Sequence, residues 1–342
     1  MNRFLRRVLF ALLLGVLIYG AFVVYSGIST VRASLGGFHW WTFAAALGLA
    51  TFNYVLRFAK WEYYLARLEV RGVPKFESFL VFLSGFVLTV TPGKVGEVFK
   101  SAVLAETHGV PMPRTAPIVI AERLTDVIAV ILLIALGSVG FQGGLKWAVA
   151  GTVLVSIGLV LILWPAPMNW LVRKAESSSG RLNRLAPKLR ESVNSLRIVA
   201  SPGALLIPTL LSIVGWGCEG LALWLLLKGF GFPVPVSLAV FFYATATLAG
   251  AVVPVPGGLG VAEALIREQL VQLAHVPHGM ATSAMLLVRL ATLWWAVLVG
   301  FGALGLLRRR FPELLREHAE PLEVDHASLG NADAQSHSQR AP

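Results

Sequence analysis

The chain has 342 residues, 56% of them hydrophobic and 14% charged, and its mean hydropathy is +0.72. Soluble domains run near ~45–50% apolar and ~25% charged, so a soluble globular protein, a disordered chain, a collagen and a disulfide scaffold are excluded together. On such a chain a net charge of +11 marks cytoplasmic loops and contact with anionic headgroups rather than nucleic acid. The one cysteine, Cys218, has no partner for an internal disulfide.

A bilayer core takes ~20 mostly apolar residues per helix. Val8–Tyr25 is the first such run, behind Arg3, Arg6 and Arg7. Its 18 residues exceed the ~7–15 of a signal-peptide core, so it reads as a span. Phe38–Phe58 is the second span. Phe76–Thr91 then runs into a Pro-Gly element and resumes as the shorter, partly charged Val95–Leu104. Ala116–Gly140 and Leu145–Trp164 follow as spans, and Pro165–Gly203 is a basic loop in which a short amphipathic helix is expected on the inner leaflet. Ala204–Leu227 crosses again. Val236–Pro254 meets a second Pro-Gly element and resumes as Val261–Ala274, before the last span, Ala281–Leu307. Pro-Gly breaks at membrane depth mark broken or re-entrant helices. The predicted fold is therefore an all-α polytopic membrane protein with six full spans and two Pro-Gly re-entrant hairpins over residues 1–310. Residues 311–342, polar and aperiodic, are expected to be a disordered cytoplasmic tail.

With both hairpins returning to their own side, Arg3, Arg6, Arg7, Lys60, Arg67, Arg71, Lys75, Arg114, the basic residues of 165–203 and Arg308–Arg310 all fall in the cytoplasm. Outer loops hold little beyond Arg32, Lys146 and Lys228. The positive-inside rule is obeyed throughout, with both termini inside a multi-pass protein of the cytoplasmic (inner) membrane.

The two Pro-Gly elements resemble each other. Thr91-Pro92-Gly93-Lys94-Val95-Gly96-Glu97 has a partner in Val255-Pro256-Gly257-Gly258-Leu259-Gly260, followed by Glu263. Trp61 lies 31 residues before the first Pro and Trp224 lies 32 before the second; Arg123 and Arg289 follow by 31 and 33. Each half, about 38–140 and about 204–307, thus reads span, hairpin, span with an arginine. Three spans separate the hairpins, so the halves are inverted, an arrangement used by transporters whose sites lie where broken helices meet.

Charges inside the spans are the candidate site. Glu122, Arg123 and Asp126 open the third span, Arg289 lies in the last, and Glu219 sits within Ala204–Leu227. Each costs ~2.5–3.5 kcal/mol near the bilayer centre on insertion scales, so such residues mark function unless they only pair with one another. Arg123 can neutralise Glu122 and Asp126 on its own helix, and Arg289 can pair with Glu219 or Glu263. Lys100, Arg267 and Glu268 lie near helix ends, where charges snorkel to the interface. The glycines at 93, 96, 257, 258 and 260 let backbone approach a ligand, and each helix restarting after a turn offers free N–H groups to an anion, with Lys94 adding a charge at the first. Pro92, Gly93, Lys94, Gly96, Glu97, Glu122, Arg123, Asp126, Pro256, Gly257, Gly258, Gly260, Glu263 and Arg289 form the expected substrate-binding set, with no catalytic residue, no metal and no cofactor.

Other signals fail. Gly215-x-Gly217-x-x-Gly220 lacks the strand a dinucleotide fingerprint needs, and His275-x-x-His278 lacks further ligands. The Thr91–Glu97 motif, Glu122-Arg123-x-x-Asp126 and Pro254-Val-Pro-Gly-Gly-Leu-Gly with Glu263 together resemble the lysylphosphatidylglycerol synthase transmembrane region family, also called flippase-like, over most of residues 8–307. The resemblance implies an integral inner-membrane protein that moves a lipid between leaflets. The best-known members translocate aminoacylated phosphatidylglycerol and carry a fused soluble aminoacyltransferase; relatives are associated with hopanoid and with polyprenyl- or dolichyl-linked sugar pathways. A short tail stands where that soluble domain would follow, so the headgroup is not carried over. The leading expectation is a translocase for a polar or anionic lipid, such as a modified phospholipid or a polyprenyl-linked lipid. The alternatives are a membrane-embedded transferase, with Glu97, Glu122 or Asp126 as base, and an accessory or scaffold protein. Expected partners are membrane lipids and not nucleic acid; a homo-oligomer and a separate lipid-modifying enzyme stay open.

Orientation is directly testable. With Cys218 replaced by Ser, a cysteine at Ser178 should react with an impermeant maleimide only from the cytoplasmic face, and one at Gln142 only from outside. Labelling of both from one side would remove the inverted arrangement.

Overall fold

The computed structural model describes residues 13, 17–25, 27–90, 96–138, 149, 153, 165–177, 181–253 and 255–314. Among these residues the chain is helical and has no strand. The helices are α1 (17–25), α2 (Ile28–Gly36), α3 (Trp40–Arg67), α4 (Lys75–Ser84), α5 (Gly96–His108), α6 (Pro117–Ser138), α7 (Pro165–Glu176), α8 (Arg181–Val199), α9 (Pro202–Gly229), α10 (Val236–Val252), α11 (Val261–Gln272), α12 (His278–Arg289) and α13 (Trp295–Arg310). The residues 91–95 of the first Pro-Gly element, Pro254, most of the expected span 145–164 and the tail from 315 lie outside the described residues.

Three helical stretches are long and apolar enough to cross a bilayer: α3, α9 and the run His278–Arg310 formed by α12 and α13. The 22-residue α6 is also long enough at about 1.5 Å per residue, but it carries Glu122, Arg123 and Asp126 in its first three turns. Trp40, Trp41 and Phe52 on α3, Leu206 and Leu210 on α9, and Leu298 and Leu306 on α13 are exposed, an apolar outer surface suited to lipid. Two boundaries differ from the sequence reading. α3 runs on through Arg67, so Lys60, expected in a cytoplasmic loop, is 1% exposed inside the bundle. The last span is not a uniform α-helix: Leu290–Trp294, directly after Arg289, is one turn of π-helix.

α3 and α9 form the central pair. His39 N–H donates to Gly229 O at 3.0 Å, Lys60 Nζ to Ser212 Oγ at 2.6 Å, and Tyr63 OH to Gly203 O at 3.5 Å, so the two run antiparallel. Gly215 and Gly229 allow the close approach, because a Cβ there would collide with Asn53 and with Thr42 and Phe38. Equivalent helices of an inverted repeat must run antiparallel, and these two carry the matching Trp61 and Trp224.

The halves also trade partners. α4 packs on α13, and α10 packs on α6, so the helix before each Pro-Gly element rests on a helix distant in sequence. One glycine makes each contact. A Cβ on Gly300 would lie 2.7 Å from Val87 N, and one on Gly137 would lie 2.8 Å from Ser237 O. The core is correspondingly divided into one cluster around α9, α10 and α12 and another around α3, α4 and α13. A small third cluster, Val90, Leu259, Leu293 and Val297, joins them where the chain enters the first Pro-Gly element and leaves the second.

The basic segment after residue 165 holds two helices rather than one. α7 packs on α8, and α8 packs on α6 and on the single turn Met112–Thr115, with Ser192 Oγ donating to Pro113 O at 3.0 Å. Ser195, Leu196 and Val199 are buried by that contact, so α8 is docked on the bundle as well as amphipathic.

The glycine contacts give a stability test. Gly300→Ala and Gly137→Ala should each cost about 1–3 kcal/mol by overpacking against backbone, lowering the melting temperature of the purified protein. Gly302→Ala, with nothing within 4 Å, should be neutral or slightly stabilising. Equal melting temperatures for all three would contradict the exchanged packing.

Candidate functional site

The second Pro-Gly turn explains its own sequence. Gly257, Gly258 and Gly260 have φ of +61°, +69° and +86°, a left-handed region that costs other residues strain. A Cβ on Gly257 would lie 3.3 Å from Val90 Cα, the residue just before the first Pro-Gly element. α11 restarts at Val261, and its first turn is not open to an anion as expected. Glu263, fully buried, accepts the Gly260 N–H through Oε2 at 2.7 Å and so occupies the helix end itself. Its Oε1 accepts Arg289 Nε at 2.6 Å and the Tyr19 hydroxyl at 3.3 Å. Arg289 Nη2 donates to Gly257 O at 3.1 Å, tying the turn to α12.

The first half repeats this construction. Arg123 on α6 donates through Nη2 to Glu97 Oε1 in the first turn of α5. Acid and arginine are 26 residues apart in both pairs. The two-residue disagreement between the Pro-to-Arg spacings is thereby accounted for, since acid and arginine shift together relative to the proline. Of the sequence alternatives, Arg289 takes Glu263. Arg123 lies 3.6 Å from Asp126 Oδ2, but Glu122 is neutralised by Lys100 at 2.5 Å instead.

Behind Arg123 the first half is more heavily charged. Asp126 Oδ1 accepts Lys60 Nζ at 2.8 Å and Ser212 Oγ at 2.9 Å, while Arg57 Nη2 lies 3.9 Å from Oδ2 and 3.8 Å from Glu97. Lys100 Nζ stands 4.5 Å from the Trp61 ring centroid, a cation–π contact beside its pairing with Glu122. Lys100 is buried and does not snorkel. Arg267 is buried too, with Nε donating to Thr282 Oγ1 at 3.1 Å, whereas the Glu268 side chain is half exposed. Asp126 Oδ2 and Arg123 Nε have no hydrogen-bond partner among the described residues. Such unpaired buried atoms are uncommon; of these two groups Arg123 lines the opening and Asp126 stands behind it.

That opening is a cavity of about 90 Å³ between the halves. Arg57, Glu97 and Arg123 line it from one side, Gly257, Gly258 and Arg289 from the other, with Glu219 and Tyr243 at its wall. Of the expected set, Glu97, Arg123, Gly257, Gly258 and Arg289 therefore meet there. Glu122, Asp126 and Glu263 stand behind them as bonded partners. Pro92, Gly93 and Lys94 lie outside the described residues; Gly96 opens α5, Gly260 precedes α11, and Pro256 begins the turn. Ordinary ligand pockets hold ~300–1,000 Å³, so in this conformation the cavity is too small for a whole lipid.

Sequence reasoning missed Arg57 and Lys60. The signal was present: Arg57 interrupts an apolar run four residues before Trp61, nearly where Glu219 precedes Trp224. It also missed Asn53 and Tyr243, whose Nδ2 and OH donate to the two oxygens of Glu219 at 2.6 and 2.5 Å. Neutral residues of this kind carry no pattern in a helix. No group of three or more metal-ligating side chains occurs among the described residues.

The family model for the lysylphosphatidylglycerol synthase TM region matches residues 12–300. Two curated relatives come from Methanocaldococcus jannaschii. UPF0104 membrane protein MJ1078 is 23% identical over 219 residues, covering 63% of this chain and 91% of the relative. UPF0104 membrane protein MJ1595 is 22% identical over 275 residues, covering 75% and 81%. The helices, the apolar outer surface and a match running through both arginine–carboxylate pairs agree: this chain is an integral membrane protein of the lysylphosphatidylglycerol synthase TM region family.

Proposed function

We propose that the chain is a lipid translocase of the cytoplasmic membrane, moving a lipid with an anionic or polar headgroup between leaflets and doing no chemistry on it. The observation that carries this reading is the pair of arginine–carboxylate couples, Arg123–Glu97 and Arg289–Glu263, whose arginines line one cavity from the two halves of the bundle. An anionic headgroup reaching the cavity meets Arg57, Arg123 and Arg289 in surroundings where water screens poorly, and each guanidinium can offer two parallel donors to a phosphate or carboxylate. Glu97 and Glu263 hold the arginines while the cavity is unliganded. A headgroup oxygen then substitutes for a carboxylate oxygen already present, which keeps the cost of moving charge through the membrane low. The acyl tails stay in lipid against the exposed apolar flanks of α3, α9 and α13.

Alternating access follows from the same parts. The positive-φ glycines at one end of Arg289 and the π turn Leu290–Trp294 at the other are places where backbone can rearrange without breaking a long helix. A shift of the second hairpin against α6, or of the first against α13, would open the cavity to one leaflet at a time.

The test is leaflet exchange of a fluorescent phosphatidylglycerol by the full chain in liposomes, followed by dithionite quenching, with mass spectrometry of the lipids before and after. Arg289 bonds Glu263 and Gly257 through two different nitrogens, a geometry lysine cannot copy. Arg123→Lys and Arg289→Lys should each fold normally and slow exchange by about tenfold, corresponding to ~1.4 kcal/mol in the barrier. Full rates in both variants, or recovery of wild-type rate in Arg123→Ala combined with Glu97→Ala, its hydrogen-bonded partner, would make the arginines structural. A new lipid product would favour a transferase.

A further inference from the structure

The buried acids around the cavity fall into two kinds. Glu97, Glu122, Asp126 and Glu263 each have a lysine or arginine nitrogen within 4 Å, whereas Glu219 has none among the described residues. It is 6% exposed, in the middle of the long apolar α9, and both of its oxygens are taken by neutral donors, Asn53 Nδ2 at 2.6 Å and Tyr243 OH at 2.5 Å. A carboxylate so deep with no adjacent cation is the group for which binding a proton is cheapest. Its surroundings also allow that proton to be held. A tyrosine hydroxyl both donates and accepts, so Tyr243 can turn to accept from a protonated Glu219, while Asn53 continues to donate to the other oxygen.

We propose that Glu219 is a proton-carrying site that couples headgroup capture to a proton gradient. The charges facing it decide the consequence. α3 presents Tyr54 and Arg57, α5 Glu97, α6 Arg123, α10 Tyr243 and α12 Arg289, and Cys218 is its neighbour on α9. Of the cavity's charged lining, three groups are guanidiniums and two are carboxylates, Glu97 and Glu219. Protonating Glu219 removes one of the two negative charges and leaves the arginines less compensated, so the cavity then favours an anion; releasing the proton expels it. Proton and anionic headgroup therefore bind each other's preferred state, and linkage makes the effect reciprocal. The link to movement is local. Tyr54 OH donates to Thr292 O at 3.2 Å, and Thr292 lies in the π turn that follows Arg289, at the wall of the same cavity as Tyr243 and Glu219.

This inference rests on the translocase reading for its transport arm only, and two measurements keep the failures apart. Infrared difference spectra of the reconstituted full chain, titrated from high to low pH, should contain a protonated-carboxyl stretch that is lost in Glu219→Gln and displaced in Tyr243→Phe. In liposomes, exchange of fluorescent phosphatidylglycerol should accelerate when an acidic compartment faces the lipid-loading side, and Glu219→Gln should bring that rate down to the rate without a gradient. Fluorescent phosphatidylcholine, with no net charge, should respond less. An unchanged carboxyl band in Glu219→Gln overturns the proton site, as does an undiminished gradient response in that variant or a response to sodium in place of protons. A wild-type protein that moves no lipid but shows the Glu219 band would refute the translocase reading and leave the proton site standing.

Discussion

Charge burial governs this structure. An apolar bundle that carries Lys60, Lys100, Arg267 and Arg289 below its surface can form only if each cation meets a polar partner, because an isolated buried charge costs far more than a domain's whole stability margin. Nearly every helix–helix contact at the centre is therefore also a charge contact. Lys60 bonds α3 to α6 through Asp126 and to α9 through Ser212; Lys100 bonds α5 to α6; Arg289 bonds α12 to α11 and to the turn before it. Removing one partner of such a pair typically costs 3–5 kcal/mol, whereas the intact pair adds little net stability over well-packed apolar residues. Their value here is specificity of assembly. Apolar helices in lipid pack by shape alone and slide easily. Ion pairs and small-residue contacts at Gly137, Gly215 and Gly300 fix which faces meet.

The same requirement separates two roles within one network. Lys60–Asp126 and Lys100–Glu122 are enclosed, with both members of each pair below about a tenth exposed. They belong to the frame. Arg57 and Arg123 are about a quarter exposed and reach the cavity with bonding capacity left over, including Arg123 Nε. A charge held by one partner and open on its other side can exchange partners; a charge enclosed on all sides cannot. That distinction, and not mere presence in a span, separates the residues suited to binding from those suited to holding helices together.

Much of this was legible in the sequence, for physical reasons that also explain the limits. Apolar runs, Pro-Gly breaks and the ordered recurrence of Trp, Pro-Gly, Glu and Arg are periodic or positional signals, and they led to Glu97, Arg123, Gly257, Gly258 and Arg289. The pairing partners were harder. Glu122 precedes Arg123 in the chain, yet adjacent helix positions point apart, and Lys100 on α5 reaches Glu122 instead. Lys60 looked like a loop residue because hydropathy alone ends the second span near Phe58. α3 continues for two more turns because α6 and α9 supply Asp126 and Ser212 at that level. The π turn has no sequence signature, and the docking of α8 depends on where Met112–Thr115 lies in space.

The two halves of the bundle are alike without being identical. Each half brings one arginine to the cavity, and the equal 26-residue separations in Arg123–Glu97 and Arg289–Glu263 keep the two pairs alike. The central helices differ in the charge they bring near that level: Arg57 stands four residues before Trp61 on α3, and Glu219 five before Trp224 on α9. In the proposed translocase, a fully symmetric pair of cations would leave the cavity permanently attractive to anions, so a captured headgroup would have no reason to leave. With Glu219 as the proposed proton site, a cation on one central helix and an acid with no adjacent cation on the other would give the cavity two charge states within one conformational frame. In that proposed cycle, this difference in charge between the two central helices is what would permit both capture and release.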